Sequence, residues 1–346
     1  MKSEILISGG LGFIGSSLTE RILEDGMDVT IVDNCTSNVS RPSDILQSNA
    51  RMTFFKRDIS EYLTDLSQEK RFRAIVHTAS HVGAAGVLEH IGHIAQTMIK
   101  HTADVIDFCV RTGSDLIFIS SSEVYGRNGI VSEKCDIRVP PYFNARIEYA
   151  LGKLTSEAMI HNARHRGLRA LCVRPFNVVG PRQSRAGGFV LPTFVQQALG
   201  GRELTIFPPG SQIRSFLSVD DLADFVVVQI RSKLPDDPVS VNVSCPANSM
   251  TITELALRVK KLLNSESPLE VVDPRDIYGP LFHEAASVDK RGDIQQAQRC
   301  GWFPKRDIDS IILTAANYYR NCRDTRGADA RDEPHHESHG DRAARR

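Results

Sequence analysis

The stretch "SGGLGFIG", Ser8 to Gly15, decides the fold. It follows a short apolar run, "EILIS", and opens onto "SSLTERILEDG", whose apolar residues recur at helical spacing as far as Gly26. A second β-branched run, "DVTIVDN", comes next, so the segment reads strand, glycine turn, helix, strand. Gly9, Gly12 and Gly15 stand at G-x-x-G-x-x-G spacing. The first permits a tight turn, the second lets a pyrophosphate approach the backbone, and the third lets helix and strand pack closely. The first N–H groups of the helix then face the anion. Asp33, closing the second strand, offers a carboxylate to the hydroxyls of an adenosine ribose and repels a 2′-phosphate, which favours NAD over NADP. Arg41 either softens that preference or is a solvated loop charge.

Outward from this unit the alternation continues through "MTFFKRDI", "RAIVHTAS", the helical "HIAQTMIKHTADVIDFCVRTG", "DLIFISSS", the helical "YALGKLTSEAMIHNARHRG" and "LRALCVRPFNV". Strands separated by helix-length segments imply right-handed crossovers and predict an α/β fold, a Rossmann-type doubly wound parallel sheet. Beyond Gly180 the pattern changes to "GPRQSRAGG" and proline-rich links such as "FPPG" and "LPDDP". The expected organisation is an NAD-binding domain over residues 1–178, a smaller C-terminal substrate-binding region over 179–323, partly interleaved with the first, and a disordered tail over 324–346. That tail has almost no large apolar side chain to offset its ordering entropy, and its three histidines read as solvated linker rather than a metal site.

The 42 Lys and Arg balance 42 Asp and Glu over 346 residues, so no global field favours nucleic acid or an anionic membrane. The seven cysteines include no C-x-x-C pair and no metal-ligand spacing, and are expected to be free thiols in a reducing compartment. The first apolar run is too short for a signal peptide, and no run of about 18 apolar residues occurs. A cytoplasmic protein without a membrane or nucleic-acid partner is the expectation.

Tyr149 and Lys153 are four apart on a predicted helix and project from one face. A phenol with a reference pKa of about 10 is a poor base near neutrality. A nearby ammonium and the positive nicotinamide ring favour the phenolate, and the same ammonium reaches the nicotinamide ribose.

The ordered set "SGGLGFIG", "IVHTAS", "SSSEVYG", "YALGK", "RPFNVVGPRQ", "GGFVLPTF" and "GSQIRSFLSVDDLAD" resembles the extended short-chain dehydrogenase/reductase family, in its branch of NAD-dependent nucleotide-sugar epimerases, dehydratases and decarboxylases. The resemblance implies NAD held by Gly9, Gly12, Phe13, Ile14, Gly15, Asp33, Asn34, Asp58, Ile59, Thr78, Ala79, Ser80 and Lys153. Asp58, at a strand end, either reaches the adenine side or caps the next helix. It implies Tyr149 as the base and Lys153 as its partner, with Ser121 on the sugar C4 hydroxyl and Ser122 beside it. Asn177 matches a residue on the diphosphate side, and Arg214 resembles a diphosphate clamp or serves an ion pair. Leu191 and Phe207 either flank the nucleobase or are core. A nucleotide diphosphate-sugar substrate and a homodimer built on two helices per subunit are further implications. Departures from the family pattern are Met98 for a common Asn, Glu148 for a common Pro, Pro208-Pro209 for a Gly-Asp pair, and a loose match at Lys290 and Arg291 for a second substrate-binding Arg.

Glu123, in "SSSEVYG", bears on the reaction. Oxidation at C4 gives a 4-keto sugar, which either takes hydride back on its other face, loses water from C5 and C6, or, as a uronate, loses CO2. A buried carboxyl near C5 and C6 with its pKa raised toward neutrality would serve proton transfer, whereas a carboxylate bonded to local backbone would not. Net C4 epimerisation of an NDP-hexose or NDP-uronate is the expected reaction, since the family is mostly epimerases. A 4,6-dehydratase or NDP-glucuronate decarboxylase using Glu123 is the alternative, and a non-catalytic NAD-binding regulator the remote one. Tyr125 is expected to be structural.

Overall fold

The computed structural model describes residues 4–36, 50–67, 69–83, 86–126, 129–141, 143–184, 187–236, 239–282 and 289–326, with side chains as far as 322. Seven strands form the central sheet: β1 (Glu4–Ser8), β2 (Asp28–Asp33), β3 (Met52–Lys56), β4 (Ala74–His77), β5 (Asp115–Ile119), β6 (Ala170–Pro175) and β7 (Val239–Val243). Their order is β3-β2-β1-β4-β5-β6-β7, and every pairing is parallel. The inner strands read as nearly continuous apolar runs because helices cover both faces. The order reverses between β1 and β4, and the crevice above their carboxyl ends is where an open α/β sheet receives its ligand.

The longer helices are α1 (Phe13–Glu24), α2 (Ile59–Asp65), α3 (Ile94–Thr112), α4 (Ala145–Asn162), α5 (Val190–Leu199), α6 (Val219–Arg231), α7 (Ile252–Leu263) and α8 (Ile308–Arg326). On one face of the sheet, Ile5, Ile7 and Ile31 pack with Leu18 and Ile22 of α1 and Leu222 and Phe225 of α6. On the other, Leu6, Ile75 and Phe118 pack with Val105 and Ile106 of α3 and Ile160 of α4. A third core of Leu191, Phe194, Phe216, Leu255 and Ile312 holds α5, α7 and α8 together. Strand β7 and helix α6 come from beyond residue 179 yet complete the first layer pair, so the chain crosses back into the large sheet after leaving it.

A small mixed sheet joins 249–251, 213–215, 290–292 and 129–131, in that order. Its register sets Arg214 opposite Lys290 and Lys290 opposite Gly129, which ties the C-terminal region to the segment just after "SSSEVYG". Helix α8 runs to Arg326, past the start expected for a disordered tail; residues 327–346 lie outside the described residues. All seven cysteines are free. Among the described residues no helix is long and apolar enough to cross a membrane.

Candidate active site

The glycine turn bridges β1 and α1 at the reversal point. Gly9 has a positive φ of 74°, and a Cβ there would lie 2.8 Å from the Ala79 Cα. A Cβ on Gly15 would fall 2.0 Å from the Gly9 carbonyl oxygen, so helix and turn approach as only glycine permits. Thr78 Oγ1 donates to the Ser8 and Gly9 carbonyls at 2.7 and 3.1 Å, pinning β4's end to the turn, while Ser80 Oγ donates to the His81 carbonyl at 3.2 Å. Asp33 accepts from the Leu11 N–H at 2.9 Å and the Cys35 N–H at 2.8 Å, so its carboxylate organises the turn. Helix α1 starts at Gly12 with no side-chain cap and no acidic residue in its first turn. Its N–H groups therefore await an anion, and the residues present fit a dinucleotide pyrophosphate. Phe13 and Ile14 stand half-buried at that helix mouth, and Asn34 is exposed, its Oδ1 accepting from Thr36. Gly15→Ala is expected to weaken NAD binding by at least an order of magnitude, read as cofactor retained after gel filtration, because the turn must open to admit the methyl group.

Two further residues on the expected cofactor side make contacts within the chain. Ile59 is buried in the core with Leu6 and Val32, so its side chain is packing. Asp58 caps α2, accepting from the Ser60 N–H at 2.8 Å, and pairs with His101 at 2.9 Å, which is the capping alternative. Arg41 lies outside the described residues.

On α4, Arg146, Tyr149, Lys153 and Glu157 form one stripe facing the end of β5 and the turn that follows it. Tyr149 is hydrogen-bonded to Ser121, whose Oγ also accepts from the Glu123 N–H at 3.2 Å. Lys153 Nζ donates to the Ile119 carbonyl at 2.7 Å and lies 5.9 Å from the centre of the Tyr149 ring. Burial raises the Tyr149 phenol well above its ordinary range, and the Glu123 charge adds to this while the Ser121 hydrogen bond and Arg146 oppose it. Burial lowers Lys153 to about 7 against the pull of Glu157. Behind them Glu157 takes a three-bond contact from Arg174, with Nε at 3.0 and 3.1 Å and Nη2 at 2.6 Å, together with hydrogen bonds from Ser120 and Ser240. Tyr125 donates to Asn242 at 2.7 Å and accepts from Arg174 at 3.0 Å, which makes it structural as expected.

Glu123 is held between two cations. Arg146 meets it with both arms of its fork, Nε to Oε2 and Nη2 to Oε1, each at 2.8 Å, and Lys290 Nζ donates to Oε1. Burial pushes this carboxyl up, but Arg146 and Lys290 outweigh it and hold it well below the usual carboxylate range. The upward shift expected from burial is therefore absent, because Arg146 and Lys290 both pair with the carboxylate. Lys290 is drawn down to about 7 by burial and by Arg146 and Arg214, against the attraction of Glu123. Of the two C-terminal candidates, Lys290 is brought to the site; Arg291 lies 3.9 Å from Asp289 instead. Sequence reasoning missed Arg146 altogether, although its place three residues before Tyr149 puts it on the same face of the helix.

On the substrate side, Ser122 is buried in the 3₁₀ turn Ser122–Tyr125. Asn177 has a positive φ of 35° and donates to the Ser215 carbonyl at 3.1 Å. Arg214 is buried next to Lys290 in the small sheet. Phe207 is half-buried and meets Tyr278 and Phe282 edge-on, with ring centres 6.2 and 6.0 Å apart. Leu191 is wholly buried in the third core, so its side chain is core and presents no surface to a base. Two departures are explained: Met98 packs beneath Tyr149, and Glu148 accepts from the Gly92 and Ala95 N–H groups at 2.8 and 3.1 Å, tying the start of α3 to α4.

Curated relatives include UDP-glucuronic acid decarboxylase 1 of Xenopus tropicalis, 28% identical over 92% of this chain and 72% of that protein. UDP-glucuronic acid decarboxylase 3 of Arabidopsis thaliana is 30% identical over 87% of this chain and 84% of its own length. Among solved structures, the UDP-glucuronic acid 4-epimerase of Bacillus cereus, in complex with UDP-glucuronic acid and NAD, superposes with a TM-score of 0.79 at 23% identity, covering 92% of this chain and 99% of that one, a likeness of fold. Residues 5–244 match the profile of the NAD dependent epimerase/dehydratase family, and with the glycine turn, the uncapped α1 and the Ser121–Tyr149–Lys153 array in place, the chain belongs to that NAD-dependent enzyme family.

Proposed function

We propose that this enzyme carries an NDP-uronate through a 4-keto intermediate to loss of CO2, a net decarboxylation. The observation that supports it is the Arg146–Glu123–Lys290 group beside Ser121 and Tyr149, which gathers two cations at the sugar end of the site. The decarboxylases of UDP-glucuronate among the curated relatives support the same choice, and UDP as the nucleotide.

Tyr149, bonded through Ser121, takes the proton of the C4 hydroxyl. NAD, held at the glycine turn and Asp33, would supply reversible hydride acceptance at C4. The C4 ketone makes the C6 carboxylate a β-keto acid; the C5–C6 bond breaks, its electron pair enters the C4–C5 enolate, and CO2 departs. A proton must then reach C5. Glu123, held deprotonated, cannot give one; the Lys290 ammonium, lowered to about 7, is the acid on that side. Tyr149 finally returns its proton to the C4 oxygen. Dehydration is disfavoured by the same point, since departure of a C6 hydroxyl needs an acid where Glu123 sits ionised.

Net C4 epimerisation is the second reading, favoured by the ionised state of Glu123: a 4-keto sugar returned on its other face needs no acid beyond Tyr149. Incubation of the holoenzyme with UDP-glucuronate and with UDP-glucose, read by mass and NMR, separates these. Loss of CO2 from UDP-glucuronate is expected; unchanged mass with inverted C4 would replace decarboxylation by epimerisation. We further infer a homodimer in which α3 and α4 pair with their copies; a monomer mass by light scattering would remove it. The seven free thiols support a reducing compartment.

A further inference from the structure

We propose that Arg146 is a positioning residue that neutralises Glu123 at the hydroxyl of Tyr149, so that a carboxylate can be kept beside the sugar without disabling the base. This rests on the reading of Tyr149 as the C4 base. The geometry supplies the reason. Glu123 follows Ser121 by two residues, and Ser121 bonds both the Glu123 N–H and the Tyr149 hydroxyl, so the carboxylate and the phenol share one short turn. An uncompensated negative charge there opposes formation of a phenolate. Arg146 lies one helical turn before Tyr149 on the same face, and both its Nε and Nη2 bond Glu123 at 2.8 Å.

The other charged groups around Tyr149 do different work. Lys153, on the same helix, is bonded to the Ile119 carbonyl and stands against the ring. Lys290, from the small sheet, meets Glu123 on one oxygen only and is itself crowded by Arg214. From α3 and the turn before it Tyr149 packs on the cluster of Val87, Ile94 and Met98, which carry no charge. Arg146 is thus the cation that both touches Glu123 with two bonds and acts on Tyr149.

The test compares Arg146→Gln, Arg146→Lys, Glu123→Gln and the double variant Arg146→Gln/Glu123→Gln as NAD-loaded holoenzymes. Two readouts are taken: the ascending limb of the pH–kcat/KM profile with UDP-glucuronate, and an ultraviolet difference titration of the phenol against a Tyr149→Phe blank. Loss of Arg146 raises the phenol, so the ionised base is reached only at higher pH; Arg146→Gln is expected to move the limb upward by about one unit or more. Arg146→Lys, which keeps the charge, is expected to stay close to wild type, and the double variant to return most of the way. An Arg146→Lys profile displaced as far as Arg146→Gln, or a double variant left at the Arg146→Gln position, would overturn the proposal and leave Arg146 a packing residue. If UDP-glucuronate is not turned over, the substrate reading fails while the phenol titration still decides the role of Arg146.

Discussion

Tyr149→Phe is expected to abolish turnover while NAD stays bound. The substitution removes one oxygen and keeps the ring that packs with Val87, Ile94, Met98 and Ala145, so the local fold has no reason to change. What goes is the phenol bonded to Ser121 at the end of β5, the group proposed to accept the C4 hydroxyl proton. General-base loss of this kind costs roughly 10²- to 10⁴-fold in rate. The residues expected to hold the cofactor, on the glycine turn and at Asp33 and Thr78, keep their bonds within the chain without the lost hydroxyl. Product formation by mass, with NAD content measured on the same sample, checks both halves. Activity within tenfold of wild type would remove Tyr149 from its role.

The division between what the sequence reveals and what it hides follows range along the chain. The glycine turn was legible because strand, turn, helix and Asp33 fall within one short βαβ unit, where spacing alone fixes geometry. Tyr149 and Lys153 were legible for the same reason, being four apart on a helix. The cluster around Glu123 was not, because Lys290 reaches it across 167 residues through the register of a small sheet that no local pattern specifies. That pairing reverses the electrostatic consequence of burying Glu123. Leu191 and Ile59 show a different limit: an apolar residue at a motif position fits a ligand contact or a core equally well, and only packing decides. Strand β7 was hidden by topology, since a parallel sheet accepts its last strand from any later segment that can reach the edge.

Arg174→Met is expected to destabilise the protein by about 3–5 kcal/mol, the usual cost of leaving one partner of a buried ion pair uncompensated. Arg174 and Glu157 are both almost fully buried, and no solvent stands ready to replace the three guanidinium contacts. A urea midpoint measured by fluorescence reads the loss; a fall below 1 kcal/mol would mean the pair is solvated or relaxes cheaply. The double variant Arg174→Met/Glu157→Leu removes both charges, and most of the stability should return. Activity should not return with it. Glu157 is the group that holds the Lys153 ammonium up, so without its charge Lys153 falls below its value of about 7 and is neutral at physiological pH. The sign follows from the charge type: a lysine is cationic only below its pKa, so the alkaline limb of the rate profile moves to lower pH. A stable double variant with an unchanged limb would confine the Glu157–Arg174 pair to folding; a stable variant with the limb displaced makes it the support that keeps the partner of Tyr149 charged.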